Sequence, residues 1–319
     1  MNSPEAIFEI GLNHMGDVAR AKRMLDELCT QGASHATLQV VVEPLRFTRV
    51  VTSADMLRPN CLTLQENIDL VQHARRCGLH PGATVVDPSD VPQLLDAGIE
   101  FFKILISDIS FDLLHRVVAL TTLPFYLSTG ASDLEEIRRA METVRDAVPA
   151  ANVRLIHTVL QIPTPAENLH LANLSLLEET FRVPVAYGQH SDLREAIPAA
   201  IAAGADTVFV YVAEERVPAL PDESHAILCS EAADLLASVR VARTMLGTRE
   251  RRMQPAEAKA KSVIRRSIVA ARSIRAGERL SERDLAFKRP GTGLEPWDIG
   301  RVTGRTADRD WKADEDIAL

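Results

Sequence analysis

The stretch Glu9-Ile10-Gly11-Leu12-Asn13-His14-Met15-Gly16 places a carboxylate, an amide and an imidazole on one short segment. An apolar strand pattern precedes it, and a helical pattern follows Gly16. Polar side chains at the carboxyl end of a first β-strand lie where α/β folds carry their chemistry. The stretch therefore predicts an α/β fold with Glu9 in its active site. Asn13 and His14 are either turn formers or ligand contacts.

Short β-branched runs alternate with longer helical patterns along the next 240 or so residues. The patterns predict strands at 6–12, 35–42, 80–86, 100–106, 124–129, 152–158, 183–188 and 206–212. They predict helices at 17–31, 64–77, 88–97, 110–121, 133–148, 167–180, 193–203 and 226–246. Eight strand–helix units are typical of a (β/α)8 TIM barrel. The segment 43–63, which contains Pro44 and Pro59, is expected to be a long loop over the active site.

The character of the sequence changes after the predicted barrel, which spans 1–246. Residues 247–262 are polar and charged and are predicted to form a linker. Residues 263–319 carry short strand and turn patterns and are predicted to form a small second domain. Because about 57 residues is near the lower limit for independent folding, we expect this domain to pack against the barrel or a partner subunit.

Composition excludes several function classes. The formal net charge of −8 argues against a nucleic-acid-binding protein. The four cysteines, with no CxxC pair among them, indicate neither a zinc site nor a disulfide framework. No segment reads as a secretory signal or a membrane span, so we expect a cytoplasmic protein without a membrane partner.

Several motifs together resemble the sialic acid synthase (N-acetylneuraminate synthase, NeuB-like) family, a TIM barrel followed by an antifreeze-like SAF (β-clip) domain. The resemblance covers nearly the whole chain. In the barrel it rests on Glu9–Asp17 (EIGLNHMGD), Gln39, Lys103-Ile104, Leu127–Gly130 (LSTG), His157, Pro163–Pro165 and Pro221-Asp222. In the second domain it rests on Arg265–Ser267 and Arg289–Gly293 (RPGTG).

The resemblance implies condensation of phosphoenolpyruvate with an amino-sugar aldehyde, assisted by a divalent cation such as Mn²⁺ or Mg²⁺. It also implies a homodimer in which the SAF domain of one chain caps the barrel of the other. The catalytic residues so implied are Glu9 (acid/base), Lys103 (phosphate) and His190 (metal). The substrate-binding residues are Asn13, Gln39, Ser128, His157, Asp222 and Arg289.

Other positions depart from the family pattern. Tyr211 stands where the second metal histidine is expected, and Thr37 where a phosphate-binding lysine is expected. Ile106 and Leu160 replace polar phosphate contacts, Gly188-Gln189 replaces Ser-Asp, and Ile162 replaces a substrate-facing tyrosine. Each lost charge-assisted bond weakens binding by about 1.5–3 kcal/mol, so the phosphate and metal sites are predicted to be altered.

Three functions remain open on this sequence. The first is a synthase-like enzyme that forms a carbon–carbon bond between a phosphoenolpyruvate- or pyruvate-type donor and a sugar or other aldehyde. The second is an aldolase or lyase that forms a Schiff base on Lys103, which lies in an apolar run. The third is a non-catalytic paralogue that binds a sugar or pairs with an active synthase. We favour the first, because the residues that match the family's contacts position by position remain in place. These seven are Glu9, Gln39, Lys103, Ser128, His190, Asp222 and Arg289.

Overall fold

The computed structural model describes residues 5–147, 152–217 and 220–319, and the chain divides into two compact units, Met1–Gly247 and Thr248–Leu319. The first unit contains eight parallel strands that pair in chain order, and β1 also pairs with β8, which closes the barrel. The strands are β1 (Ala6–Gly11), β2 (His35–Val40), β3 (His80–Val85), β4 (Phe101–Ile104), β5 (Phe125–Ser128), β6 (Val153–His157), β7 (Val185–Gly188) and β8 (Val208–Ala213). The predicted (β/α)8 barrel is confirmed.

Helices connect the strands on the outside of the barrel. They are α1 (Val18–Thr30), α2 (Pro44–Phe47), α3 (Val51–Leu57), α4 (Leu64–Arg76), α5 (Val91–Ala97), α6 (Asp112–Leu120), α7 (Leu134–Ala147), α8 (Asn173–Phe181), α9 (Ala196–Ala202) and α10 (Ala232–Leu246). Local capping fixes where several begin: the Asp17 carboxylate accepts from two backbone N–H groups of α1, and Thr63 and Glu66 form a capping box on α4. Among the described residues, no helix is long and apolar enough to cross a membrane.

Several predicted boundaries differ from the structure by a few residues; the helix predicted at 167–180, for example, begins at Asn173. Two differences change the type of element. The segment 43–63, expected as a loop, contains α2 and α3, because Glu43 caps the first helical turn and Pro44 fits its first position. The last barrel helix begins at Ala232, since Ile227–Leu228 form a short strand, β9, that pairs with Val212 and Ala213. Tertiary pairing therefore overrides the helical pattern there.

Strand alternation decides which side chains reach the barrel interior. Successive strand residues point to opposite faces, so Ile7 and Glu9 of β1 share one face, as do Phe101 and Lys103 of β4. An interior cluster of buried apolar side chains comprises Ile7, Phe101, Tyr126, Ile156, Ala186 and Phe209. This layer fills the barrel, and polar residues two positions later on the same strands lie nearer the carboxyl ends. The active-site end of the barrel therefore rests on a packed floor.

The second unit has a small core of its own. Its antiparallel strands are β10 (Ser267–Ala270) and β11 (Leu285–Lys288), and its helices are α11 (Glu257–Ile264) and α12 (Ile299–Val302). The core includes Ile268, Leu280, Val302 and the buried Trp311. Helix α11 occupies part of the segment 247–262 that the sequence predicts as a linker.

Candidate active site

A cavity of about 430 Å³ opens at the carboxyl ends of the barrel strands. The implied site residues that line it come from six different strands or the loops that follow them. They are Glu9, Gln39, Lys103, Ser128, His190 and Asp222, together with Tyr211. The structure therefore brings together all three implied catalytic residues and three of the six implied substrate-binding residues.

Glu9 and Lys103 form a buried ion pair in this cavity. The Lys103 ammonium donates to the Glu9 carboxylate, and both residues are at most 5% exposed. The Lys103 Nζ atom also lies 5.3 Å from the centre of the Phe209 ring and 5.4 Å from that of Tyr211. Two opposite charges buried side by side stabilise each other where neither is stable alone. The pair therefore holds the Glu9 carboxylate and the Lys103 ammonium side by side in the wall of the cavity.

His190 follows β7 and presents one ring nitrogen to the cavity. Burial lowers the pKa of His190 to about 4, with Lys103 adding to the shift and the Val159 carbonyl opposing it. The imidazole is therefore neutral at pH 7. Its Nδ1 atom lies 2.9 Å from the Val159 carbonyl oxygen, which can only accept, so Nδ1 carries the proton. Nε2 then keeps a free lone pair, which can accept a hydrogen bond from a hydroxyl.

Tyr211 and Asp222 lie together over the backbone of Gly11. A Cβ atom on Gly11 would come within 2.9 Å of Asp222 Oδ2 and 3.0 Å of Tyr211 Cε1, and Gly11 has φ +58°. Only glycine suits both the space and the backbone conformation here. The glycine of the opening stretch thus makes room for the two groups that define this wall of the cavity.

Burial raises the pKa of both groups. The pKa of Asp222 rises to about 7, with the Glu9 charge adding to the effect of burial and Lys103 opposing it. The pKa of Tyr211 rises well above its usual 10, again through burial and the neighbouring carboxylates. At neutral pH Tyr211 is therefore a neutral phenol, and a large share of Asp222 is a protonated acid.

Three implied site residues lie elsewhere. Asn13 is fully buried: its Nδ2 donates to the Val212 carbonyl and its Oδ1 accepts from the Asp222 backbone N–H. Asn13 thus holds the Asp222 loop against β8 and does not line the cavity. His157 follows the inward-facing Ile156, so it points out of the barrel, where its Nε2 bonds the Leu169 carbonyl oxygen at 2.9 Å. Arg289 is an exposed residue of the second unit.

One side of the cavity is apolar. Leu105, Ile106, Leu160 and Ile162 line it, and the last two are at least half exposed. The Thr37 hydroxyl is buried without a hydrogen-bond partner in the described part of the chain. Of these positions, Thr37, Ile106, Leu160 and Ile162 are ones at which the sequence departs from the family pattern.

Two polar residues near the site, Thr158 and His225, were not predicted from the sequence. Thr158 lines the cavity, and its hydroxyl lies 3.1 Å from His190 Nδ1. The buried His225 ring stacks edge-on against both His190 and Tyr211, with ring centres 5.3 and 5.0 Å apart. Its Nε2 atom has no hydrogen-bond partner among the described residues. The only sequence signal for His225 was its place three residues after Asp222.

The donor set of the cavity does not fit the divalent cation that the resemblance implies. Tyr211 binds a metal only as a phenolate, and its raised pKa opposes that form. The Glu9 carboxylate already pairs with Lys103. Within residues 5–147, 152–217 and 220–319, no three metal-ligating side chains converge in this cavity. His190 is the one imidazole among the described residues that line this cavity, and one imidazole is a poor site for Mg²⁺ or Mn²⁺, which prefer oxygen-rich sets.

Comparisons with known proteins agree with the fold and the motifs. Residues 21–251 match the model of the NeuB family, and residues 265–317 match that of the SAF domain. An uncharacterized protein of Methanocaldococcus jannaschii is 30% identical, covering 98% of this chain and 92% of its own length. The N,N'-diacetyllegionaminic acid synthase of Campylobacter jejuni is 25% identical over 97% of both chains.

A solved structure completes the comparison. The N-acetylneuraminic acid synthetase of Leptospira borgpetersenii, crystallised with citrate, superposes with a TM-score of 0.77 at 25% identity, covering 81% of this chain and 90% of that one. The family match extends over most of the barrel, and the SAF match covers the core of the second unit. The chain is therefore a member of the NeuB family, a sialic acid synthase-like TIM barrel followed by a SAF domain.

Proposed function

We propose that this protein condenses a phosphoenolpyruvate-type donor with a sugar aldehyde, and that Asp222 activates the aldehyde as a general acid. The observation that carries the proposal is the meeting of the Glu9–Lys103 pair with a raised-pKa Asp222 in one cavity. A carboxyl group with a raised pKa close to an ion-paired carboxyl group is typical of paired acid and base roles.

The donor half of the cavity contains Lys103 and Ser128. An ammonium and a hydroxyl suit the carboxylate and phosphate oxygens of a three-carbon donor. The Glu9 carboxylate, next to Lys103, takes the proton of the water that adds to the donor's second carbon. Phosphate then leaves with its bridging oxygen and takes the proton of the new hydroxyl group, so the second carbon becomes the ketone of the product.

The acceptor half contains His190, Tyr211 and Asp222. The donor's methylene carbon bonds to the aldehyde carbon, and negative charge develops on the aldehyde oxygen. Protonated Asp222 gives its proton to that oxygen, while the neutral Tyr211 hydroxyl is a second donor next to it. His190 Nε2 accepts from a sugar hydroxyl and orients the acceptor. This arrangement uses no step through a metal, which fits the donor set described above.

The test is turnover with phosphoenolpyruvate and a panel of amino-sugar and simple aldehydes, with phosphate and keto acid both measured. Unchanged rates in a strong chelator are expected. Asp222→Asn should lower kcat by about 10²–10⁴-fold, as loss of a general acid does. The exposed Asp234→Asn is the matched control and should keep full activity. Absence of keto acid with every aldehyde, or full activity in Asp222→Asn, would refute the proposal.

The Schiff-base alternative is disfavoured by the pairing of Lys103. Attack on a ketone needs the free lone pair of an amine, whereas Lys103 donates to the buried Glu9 carboxylate. Borohydride treatment in the presence of pyruvate should therefore leave Lys103 unmodified. A trapped adduct that disappears in Lys103→Ala would replace our proposal with the aldolase reaction.

For the assembly, we propose the homodimer implied by the resemblance, in which residues 263–319 of one chain complete the site of the other through Arg289. The test is to mix the inactive variants Glu9→Gln and Arg289→Ala in equal amounts, refold them together and measure the activity of the resulting dimers. If Arg289 acts across the dimer, random pairing restores about a quarter of wild-type activity, because half the dimers are mixed and each has one intact site. No recovery, or a monomer in light scattering, would contradict the exchange.

A further inference from the structure

Asp26, His73 and Cys77 form a cluster of metal-ligating side chains on the outside of the barrel. Asp26 lies on α1, His73 lies in the last turn of α4, and Cys77 follows that helix directly. The Asp26 Oδ1 atom is 2.7 Å from His73 Nε2 and 3.1 Å from Cys77 Sγ. One ligand atom from each residue lies within 4.8 Å of the other two, and no other three such residues meet this way in the described ranges.

The fold explains why these residues meet. Helices α1 and α4 pack side by side, and His73 and Cys77 are four residues apart, on one face of α4 and its cap. Both helices run toward the amino ends of the next strands, so the cluster lies at the end of the barrel opposite the active-site cavity. Residues at that end of a TIM barrel serve stability and not catalysis.

The chemistry of the three groups is that of a zinc site. A thiolate, an imidazole and a carboxylate are the ligand types that Zn²⁺ combines, at bond lengths of about 2.0–2.3 Å. Tetrahedral geometry then separates neighbouring ligand atoms by about 3.3–3.8 Å, so the two contacts to Asp26 need to open by only about half an ångström. Asp26 is half exposed, which gives the ion an entry path and leaves room for a water ligand.

We propose that Asp26, His73 and Cys77 bind one zinc ion that joins α1 to α4 at the amino end of the barrel. Binding exchanges the Cys77 S–H proton for a zinc–sulfur bond, and that proton passes to the buffer. The hydrogen that His73 Nε2 donates to Asp26 moves to Nδ1, which frees the Nε2 lone pair for the metal. The hydrogen bonds from His73 and Cys77 to Asp26 are replaced by three bonds to the metal. The nearby Cys29 thiol bonds the Cys77 carbonyl oxygen, so we assign it no ligand role.

Equilibrium dialysis of the full-length, tag-free, reduced protein against Zn²⁺ tests the site, and Co²⁺ provides a spectroscopic probe. The wild type should bind one Zn²⁺ per chain, and its Co²⁺ form should show thiolate charge-transfer absorption. Cys77→Ser should remove that absorption and lower zinc affinity by at least about 100-fold, since loss of a mere supporting group already costs 10–100-fold. Cys61→Ser is the matched control, because Cys61 is also a free, half-buried cysteine that bonds a backbone carbonyl.

Thermal unfolding provides a second readout. Zinc should raise the Tm of the wild type and of Cys61→Ser, because a ligand that binds only the folded chain stabilises it, and should leave that of Cys77→Ser unchanged. If Cys77→Ser does not fold, Asp26→Asn, a change at an exposed residue, replaces it in both measurements. Absence of stoichiometric zinc in the wild type, or equal binding by the wild type and Cys77→Ser, would overturn the proposal.

Discussion

Replacing Asp222 by asparagine should make the barrel more stable at alkaline pH relative to the wild type. The structure buries the Asp222 carboxyl near the Glu9 carboxylate and raises its pKa from 3.8 to about 7. The folded protein therefore holds a proton on Asp222 between about pH 4 and pH 7, where the unfolded chain has released it. Asparagine has a similar shape and no charge, so it removes this difference.

The sign and size follow from proton linkage. Because the folded state binds the extra proton, stability falls as the pH rises through this window and levels off above the folded-state pKa. The shift of about 3 pKa units corresponds to about 4 kcal/mol at about 1.4 kcal/mol per unit. Between pH 5 and pH 8 the expected loss from this one group is about 2.7 kcal/mol. The Asp222 side chain is 19% exposed, so solvent screening reduces the value only modestly.

The assay is urea unfolding at pH 5, 6, 7 and 8, followed by far-ultraviolet circular dichroism. Tryptophan fluorescence is unsuitable, because both tryptophans, Trp297 and Trp311, lie in the second unit. The free energy of unfolding of Asp222→Asn should fall less with pH than that of the wild type. Asp234→Asn is the control, because Asp234 is exposed, and it should run parallel to the wild type.

A further variant separates burial from charge. Glu9→Gln removes the carboxylate that adds to the Asp222 shift, so it should reduce the pH dependence without abolishing it. Parallel curves for the wild type and Asp222→Asn from pH 5 to pH 8 would refute the reasoning. They would mean that Asp222 is solvated in solution, and its role as a general acid would lose its physical basis.

Three other outcomes are expected. Lys103→Met should destabilise the barrel by about 3–5 kcal/mol in urea unfolding, because it leaves Glu9 buried and unpaired. Adding Glu9→Gln should recover most of this loss, and equal stability of the single and double variants would contradict the pairing. Tyr211→His should create saturable Mn²⁺ binding, measured by electron paramagnetic resonance, that the wild type lacks; saturable binding by both proteins would show that Tyr211 does not limit metal binding. Trp311→Ala should lower the free energy of unfolding of the second unit by about 3–5 kcal/mol, measured by urea unfolding with Trp297 fluorescence as the signal. An unchanged urea midpoint would mean that this small core does not depend on Trp311.

The barrel could be predicted because its signal is repeated. Each strand is a short β-branched run and each helix an amphipathic one, so eight weak signals agree on one closed architecture. Predictions failed where a signal was local. The run 226–246 is helical in pattern, yet Ile227–Leu228 pair with β8. The segment 43–63 forms two short helices, α2 and α3, and Glu43 caps the first of them.

The site was predictable to the level of strand alternation. Glu9 and Lys103 each follow a buried aromatic or aliphatic residue by two positions, so both face inward. The same rule turns His157 outward, because Ile156 occupies the inward position on β6. His157 belongs to the family motifs, but the sequence alone does not show whether Ile156 or His157 faces the barrel interior.

The pairing of Glu9 with Lys103 lay beyond sequence reasoning. The two residues are 94 positions apart on strands that are not neighbours, so their contact depends on the tilt and stagger of the closed barrel. The role of Asn13 depends on the same geometry, since it joins β1 to the loop after β8. Motifs identify which residues matter, and the three-dimensional register decides which of them touch.

The replacement at position 211 changes the electrostatics of the whole cavity. A divalent cation held in this cavity would lower the pKa of a nearby carboxyl. With a neutral phenol there, Asp222 has only Lys103 to oppose burial and the Glu9 charge, and its pKa rises. In the function we propose, Asp222 then serves as the proton donor next to the acceptor half of the cavity. The proposed reaction therefore takes its acid and its base from two carboxyl groups, Asp222 and Glu9, that line the same cavity.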